Sequence, residues 1–365
     1  MTKMLFHASG HDAPVLYEGA RGFWAGHGAL RCIKGHETLG RGLAAHVLHR
    51  FSGGFMAFKL DFEFQSGDGR TKIHAVEWMP DDGEIRAVLQ IVHGMVEFIE
   101  RYDDFASYMA DRGFLVVGHD QLGHGKSVTR AENYGYFCEK NGNGVLLADI
   151  HALRQMTENE YPGIPYFIMG HSMGSFLVRQ YICSCASGLS GAVIMGTGTQ
   201  PIPLLSFGRG LCKLIAVFRG WHHRSRLIDA MAFGSYNSRF KPARTGREWL
   251  TRDERVVDKY VSDKRCSFMF TLNGYYNLFY SIAEASKTKN IERMPKELPV
   301  FLVSGGQDPV GGFGKGVDKV RKSFEKAGMQ DLTWVIYSDD RHEILNELDR
   351  DKVYRDISAW LGIRL

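Results

Sequence analysis

Apolar residues in this chain change their spacing at one point. Before residue 56 they follow neither a period of 3.6 nor one of 2 for more than a few positions, and Gly, His and Arg dominate. From Met56 the pattern becomes regular. Segments 58–64 and 72–79 read as strands joined by the turn cluster Ser66-Gly-Asp-Gly69, hence a hairpin. Segment 86–93 (RAVLQIVH) is a near-continuous apolar run, the mark of a strand buried on both faces. A helical period follows through Ile99, Tyr102, Phe105, Ala106, Met109 and Ala110, closed by Gly113. Strand and helix then alternate: a strand over 114–119, a helix from 144 to 160, a strand over 166–170, a helix from 173 and a strand over 191–196. The alternation stops near Gly198. It resumes with a strand over 299–304, a helix over 316–327, a strand over 332–337 and a last helix to Trp360.

Repeated strand–helix units with apolar strands predict an α/β fold, a mainly parallel sheet with helices on both faces. Segment 198–290 carries no strand signal and many aromatic and basic residues, so it reads as a helical insertion on a core made of 56–197 and 291–365. Residues 1–55 are expected to lie outside this α/β fold. Three readings stay open for them: sequence ahead of a true start at Met56, a native flexible extension, or an arm anchored by Phe23-Trp24 on the helical insertion or a second subunit.

Composition narrows the class. With 44% hydrophobic and 24% charged residues, wholesale disorder is excluded. Lys+Arg 45 against Asp+Glu 41 leaves +4, too even to argue for a nucleic-acid partner. The longest apolar stretch, 204–218, is broken by Arg209 and Lys213 and does not reach a bilayer span. Near the N-terminus only Met4-Leu5-Phe6 is apolar, too short for a signal core. Six cysteines form no disulfide framework, and Cys183-Ser-Cys185 has no zinc-ligand spacing. A cytoplasmic protein with free thiols is expected.

The sharpest chemical signal lies in 166–187 (YFIMGHSMGSFLVRQYICSCAS). Gly170-His-Ser172-Met-Gly174 fits G-x-S-x-G, a pattern that is weak alone. Here an apolar strand ends at Gly170 and a helical pattern starts at Met173, which puts Ser172 in a strand-to-helix turn. A Cβ at either glycine would clash in so tight a bend, and the bend exposes the Ser oxygen. The helix start behind it offers free N–H groups and a positive dipole end.

A serine hydroxyl is a poor nucleophile until a base takes its proton, so an acid and a histidine must follow along the chain. Segment 298–308 (LPVFLVSGGQD) delivers Asp308 just beyond a strand, and 332–342 (LTWVIYSDDRH) delivers His342 after the next. Asp339 and Asp340 compete as the acid but share the loop of His342; Asp308 leaves the neighbouring strand and is preferred. The bland readings are a solvent-exposed Ser, one loop histidine among fifteen, and a turn Asp ahead of Pro309. Acyl transfer also needs two N–H donors for the oxyanion. Met173 supplies one, and Met95, after His93-Gly94, is the expected second.

Five stretches then carry a resemblance: HGMVEFIERYDDFA (93–106), GHDQLGHGKS (118–127), GHSMGS (170–175), GQDPVG (306–311) and DDRHEILNE (339–347). Together they resemble the monoacylglycerol lipase and lysophospholipase branch of the α/β-hydrolase superfamily, from Met56 to the C-terminus. The resemblance implies an α/β-hydrolase fold with Ser172 as nucleophile, Asp308 as acid, His342 as base, and Met95 and Met173 as oxyanion donors. Glu97, Arg101 and Tyr102 match the family's HG-x-x-E-H-x-x-R-Y stretch, but the family's His is Phe98 here, which removes whatever polar contact it makes. Gly123-His-Gly125 matches as structural support.

The insertion 198–290 resembles the family's cap, and in it Leu204, Phe207, Leu211, Leu214, Ile215 and Phe218 recur at helical spacing with Arg209 and Lys213 on the other side. A cap helix packed on the core is preferred to a lid that touches lipid. Tyr275, Tyr276, Phe279 and Tyr280 suit a pocket wall or a core helix equally. Trp221-His-His223 has no further metal ligand at useful spacing and reads as a surface loop. The expected function is a serine esterase for small or single-chain acyl esters, needing no cofactor and no metal. Its partner is the ester substrate, with transient lipid contact through the cap as a further expectation. Two rivals stay open: an aminopeptidase-type amide hydrolase on the same scaffold, and a binding protein that keeps the pocket without turnover. Ser at 172 excludes related enzymes that attack epoxides or haloalkanes through an Asp.

Overall fold

Along the central strands successive side chains enter two different apolar layers, as the period of 2 requires. The computed structural model describes the backbone of residues 47–50 and residues 56–365. Within them one nine-stranded sheet is formed by β1 (Val47–Arg50), β2 (Met56–Gln65), β3 (Lys72–Met79), β4 (Ala87–Val92), β5 (Phe114–His119), β6 (Tyr166–His171), β7 (Leu189–Met195), β8 (Val300–Gly305) and β9 (Leu332–Tyr337). Their order is β1-β2-β3-β5-β4-β6-β7-β8-β9. The pairs from β1 to β5 are antiparallel, and those from β5 through β4 to β9 are parallel. This is the expected mainly parallel sheet. One strand was not expected: 47–50, assigned by sequence to the segment outside the fold, pairs with 56–59 at the sheet edge. A four-residue edge strand gives too short a period to read. The other expectations for 1–55, including the Phe23-Trp24 anchor, lie outside the described residues.

Helices cover both faces. On one, α1 (Asp103–Ala110) and α10 (Arg350–Gly362) bury Phe105, Met109, Ile357 and Trp360 against Leu89, Ile91, Met169 and Val303. On the other, α2 (Gly142–Glu160), α3 (Met173–Tyr181) and α9 (Lys315–Lys326) bury Ile150, Leu177, Val178 and Phe324 against Val88, Val92, Ile168 and Leu302. Each such side chain contributes about 1.5–3 kcal/mol by leaving water. The insertion between β7 and β8 is helical, as expected: α4 (Ile202–Arg219), α5 (Arg226–Phe233), α6 (Glu254–Ser262), α7 (Leu272–Ser286) and α8 (Thr288–Ile291). Fully buried Arg179 on α3 donates to Gly198 O (2.8 Å) and Ala285 O (2.9 Å), tying both ends of the cap to the core.

Strand order also places the site. The chain leaves β4 toward β5 on one side, and leaves β6 toward β7 on the other. The loops at the carboxyl ends of β4 and β6 therefore part, and open the crevice in which α/β sheets bind ligands.

Candidate active site

Ser172 leaves β6 at φ +53°, ψ −118° and starts α3. An L-residue held there costs about 1–3 kcal/mol and persists only where its surroundings enforce it. The flanking glycines show the enforcement. A Cβ on Gly170 would lie 2.4 Å from Gly174 O, and one on Gly174 would lie 2.0 Å from Val92 O. The bend is pinned by Ser172 N–H donating to Met195 O (3.0 Å) and Ser175 Oγ donating to Ser172 O (2.6 Å).

His342 Nδ1 lies 3.0 Å from Asp308 Oδ2, with both side chains almost wholly buried. The separation is that of an ion pair or hydrogen bond, although the ring N–H makes no aligned hydrogen bond. Asp308 is fixed from behind: Val310 N–H donates to Oδ1 (2.8 Å) and Ser304 Oγ donates to Oδ2 (3.3 Å). The competing acids are elsewhere. Asp340 is buried against Arg252 Nη2 (2.5 Å), and burial with the charges of Glu347 and Asp349 raises its pKa to about 7. Asp339 is exposed and meets Ser338 Oγ at 3.3 Å. The His342 ring sits between those of Trp249 (5.1 Å) and His171 (4.8 Å).

The loop after β4 presses against this elbow. A Cβ on Gly94 would lie 3.0 Å from Ser172 Cβ. Met95, next along, lines the same cavity as Ser172 and Met173. Met173 is the first residue of α3, so its N–H is one that a helix leaves without an internal acceptor. Val96 has φ +57°, a genuine outlier for a β-branched residue, and marks this loop as held under strain.

Glu97 does the holding. Its Oε1 accepts from Gly94 N–H (2.5 Å) and Tyr102 OH (3.0 Å) and meets His171 Nδ1 (3.2 Å); its Oε2 accepts from Arg101 Nη1 (2.9 Å). Arg101 also donates twice to Glu343, at 2.8 and 2.6 Å. Burial opposes charge on Glu97, yet His171 and Arg101 hold its carboxyl well below the usual carboxylate range. Burial likewise opposes charge on His171, which Glu97 raises. Behind the loop, His93 accepts Gln121 N–H at Nε2 (2.9 Å), so Nδ1 carries the proton donated to Gly94 O (2.8 Å).

Ser172, His342, Met95 and Met173 share one cavity of about 340 Å³, roofed by the cap. Its wall is mainly apolar, with Leu205, Phe233, Leu278, Phe279 and Ile282 from the cap facing Phe176 and Val310 from the core.

A model of the family described as serine aminopeptidase, S33 matches residues 83–349. The chain belongs to that family. A monoacylglycerol lipase of Mycolicibacterium smegmatis is 23% identical over 299 residues, 81% of this chain and 95% of that one. A monoglyceride lipase homolog of Monkeypox virus is 30% identical over 285 residues, 77% and 91% of the two chains. The crystal structure of a thermostable carboxyl esterase from Bacillus coagulans in complex with glycerol superimposes with a TM-score of 0.78 at 28% identity, over 84% of this chain and 99% of that one. The expected α/β-hydrolase fold and likeness to monoacylglycerol lipases are both met.

Several residues of this S33-family protein escaped the sequence reading. Glu343 stands beside His342 within the DDRHEILNE stretch, where the sequence gives it no role; its contact with Arg101, 242 positions away, reveals one. Trp249 and His171 likewise gave no periodic signal. Phe98, where the family stretch has His, carries the Arg265 guanidinium over its ring at 3.6 Å. Helix α4 corrects an expectation. Its packed face is Leu205, Gly208, Cys212 and Ala216; of the expected stripe, Leu211 and Ile215 are half-buried against the core, whereas Leu204, Phe207, Leu214 and Phe218 are exposed, Phe218 by 78%. Small residues let α4 lie close on α7, which turns the outer part of the bulky stripe to the surface. Of the aromatic run, Tyr275 is buried with its OH on Asp229, Phe279 lines the cavity, and Tyr276 and Tyr280 face away from it. His222 stacks on Tyr136 at 3.9 Å, so the Trp221-His-His223 loop is engaged in packing. Asp340, Glu347 and Asp349 come close enough to hold a metal, but the Arg252 guanidinium already occupies their midst. Among the described residues no helix is long and apolar enough to cross a membrane.

Proposed function

We propose that this protein is a serine esterase that cleaves single-chain acyl esters, of the monoacylglycerol or lysophospholipid type, through an acyl-enzyme and without cofactor or metal. His342 takes the proton of Ser172 Oγ as that oxygen attacks the carbonyl carbon. The Met95 and Met173 amides receive the oxyanion, and Asp308 steadies the imidazolium. His342 then protonates the leaving alcohol, and later draws a proton from the water that frees the acid. The observation that carries this reading is the apolar cavity shared by Ser172 and His342. An acyl chain gains about 0.8 kcal/mol for each methylene buried there.

The family is that of serine aminopeptidases, so amide cleavage is the second reading. Holding a peptide's ammonium calls for an available carboxylate. The cavity's lining carboxylates are each engaged, Glu97 and Glu343 by Arg101 and Asp229 by Tyr275 OH. The exposed apolar residues of α4 support transient contact with a lipid surface as part of this reading. The free cysteines Cys138, Cys183, Cys185, Cys212 and Cys266 support a cytoplasmic location.

The test is fluorophosphonate labelling of wild type and Ser172→Ala, followed by hydrolysis of monoacylglycerols, lysophospholipids and aminoacyl amides side by side. Labelling lost in the variant, with ester turnover far above amide turnover, is expected. An unlabelled wild type would favour a binding protein, and faster amide cleavage would favour a peptidase.

A further inference from the structure

Helices α4 and α7 separate the apolar cavity from a second, polar one of about 240 Å³ on their far side. Its walls include Arg209 and Lys213 from α4, Tyr276 and Tyr280 from α7, Trp221, and Asn141 at the start of α2. None of these belongs to the Ser172 cavity.

The two cations stand one helical turn apart, an arrangement that is unfavourable unless something negative lies between or beside them. Arg209 donates through Nη2 to Tyr276 OH (2.7 Å), and its guanidinium lies 4.6 Å from the ring centres of both Tyr276 and Tyr280. Lys213 Nζ lies 5.4 Å from the Tyr276 ring. These contacts position the charges without neutralising them, and Arg209 Nε is buried with no acceptor. Glu284 influences the same Tyr280 hydroxyl, but its carboxylate is taken by Lys287 Nζ (2.5 Å) and Asn290 Nδ2 (3.0 Å). Glu139 lines the pocket too and is exposed. The start of the 19-residue α2 also borders the pocket, but Asn143 N–H there already donates to Asn277 Oδ1 (3.0 Å), so the cations of α4 carry the charge of the site.

Beside these charges the outward side of α4 carries Phe207, Leu214, Val217 and Phe218, exposed by 58–78%. Apolar residues on the outer face of a helix, with cations on its flank, match the boundary between acyl chains and headgroups.

We propose that this pocket binds a phosphate anion, presented by an anionic phospholipid headgroup when the exposed face of α4 rests on a lipid surface. Arg209 and Lys213 neutralise the phosphate, and Trp221 with Tyr276, whose rings meet edge to face at 5.4 Å, walls the headgroup. The ligand is held away from Ser172, so the site recruits the enzyme to a charged surface and does not recognise the scissile ester.

Binding, not turnover, tests this, so failure here leaves the esterase reading standing. The full chain is sedimented with phosphatidylcholine vesicles and with phosphatidylcholine vesicles containing phosphatidylglycerol. Glycerol 3-phosphate and inorganic phosphate are titrated separately by calorimetry. Wild type should prefer the anionic vesicles, and Arg209→Gln/Lys213→Gln should bind them about thirtyfold more weakly, as loss of two interfacial cations predicts. Lys213→Gln alone changes an exposed side chain and should cost about fivefold. Both variants should keep the wild-type kcat/KM on a soluble short-chain ester. Equal binding to the two vesicle types, or a preference that survives in both variants, would overturn the proposal. Saturable binding of glycerol 3-phosphate without vesicle preference would overturn the lipid source and leave a soluble phosphate ester as the ligand.

Discussion

Arg101 spans the two halves of the site: its guanidinium grips Glu343, the neighbour of His342, by two hydrogen bonds of 2.8 and 2.6 Å. The same group holds Glu97, whose other oxygen fixes the Gly94 amide beside Ser172. The histidine loop and the loop expected to bind the oxyanion are thus fastened to one buried cation. Replacing it by Met leaves two buried carboxylates facing each other, a loss of about 3–5 kcal/mol. Arg101→Met should melt well below wild type and lose kcat on a soluble ester. Arg101→Lys should restore little of either, because an ammonium cannot bond both carboxylates in the same plane. Unchanged melting and turnover in Arg101→Met would remove the network from the site.

Ser172→Ala should abolish ester turnover while the fold persists, since an alanine suffers no more than the serine at φ +53°. Retained kcat within tenfold of wild type would sink the nucleophile assignment.

Asp308→Asn should lower kcat by about 10⁴, because the amide presents the wrong partner to the imidazole. Asp340→Asn should leave kcat near wild type, as its carboxylate meets Arg252. The reverse ranking in steady-state kinetics would move the acid to the other strand end.

Burial works against charge on His74, but hydrogen bonds to Asp120 (2.9 Å) and Asp61 (2.6 Å) outweigh it, with Lys126 opposing, and raise its pKa to about 9. A raised pKa means that the folded state holds the proton more tightly than the unfolded one. Its stabilisation is therefore complete below the ordinary histidine value and fades as pH rises through 9. Urea midpoints should show His74→Gln weaker than wild type at pH 6, with the gap closing by pH 9.5 as the native proton is lost. A gap that stays constant over that range would show that His74 acts by packing alone.

Leu214, exposed on α4 by 58%, tests the lipid-facing cap. Leu214→Glu should reduce hydrolysis of micellar substrate by about tenfold or more and leave a soluble short-chain ester untouched. Equal losses on both substrates would return α4 to a packing role.

Period and punctuation in the sequence determined most of the architecture. The apolar runs of β4 to β8 and the amphipathic helices between them are local patterns, readable because a strand buried on both faces has few polar positions. Ser172, Asp308 and His342 stood out as candidates for a related reason: each follows the end of a strand, where the backbone carries a residue toward the crevice. Tertiary structure decided what depends on distant partners. The sequence preferred Asp308 to Asp340 only by its place after a neighbouring strand; the pairing of β8 with β9 brings Asp308 to His342, while Arg252 claims Asp340. Glu343 gains its meaning from Arg101 on the other side of the crevice. The apolar stripe of α4 has the same period whether it faces the core or solvent; small Gly208, Cys212 and Ala216 decided the matter, because they let α7 approach closely and left the larger side chains outside. A hydrophobic period states that a helix has two faces. Which face is covered follows from the shape of the neighbour, and that neighbour lies some sixty residues further along the chain.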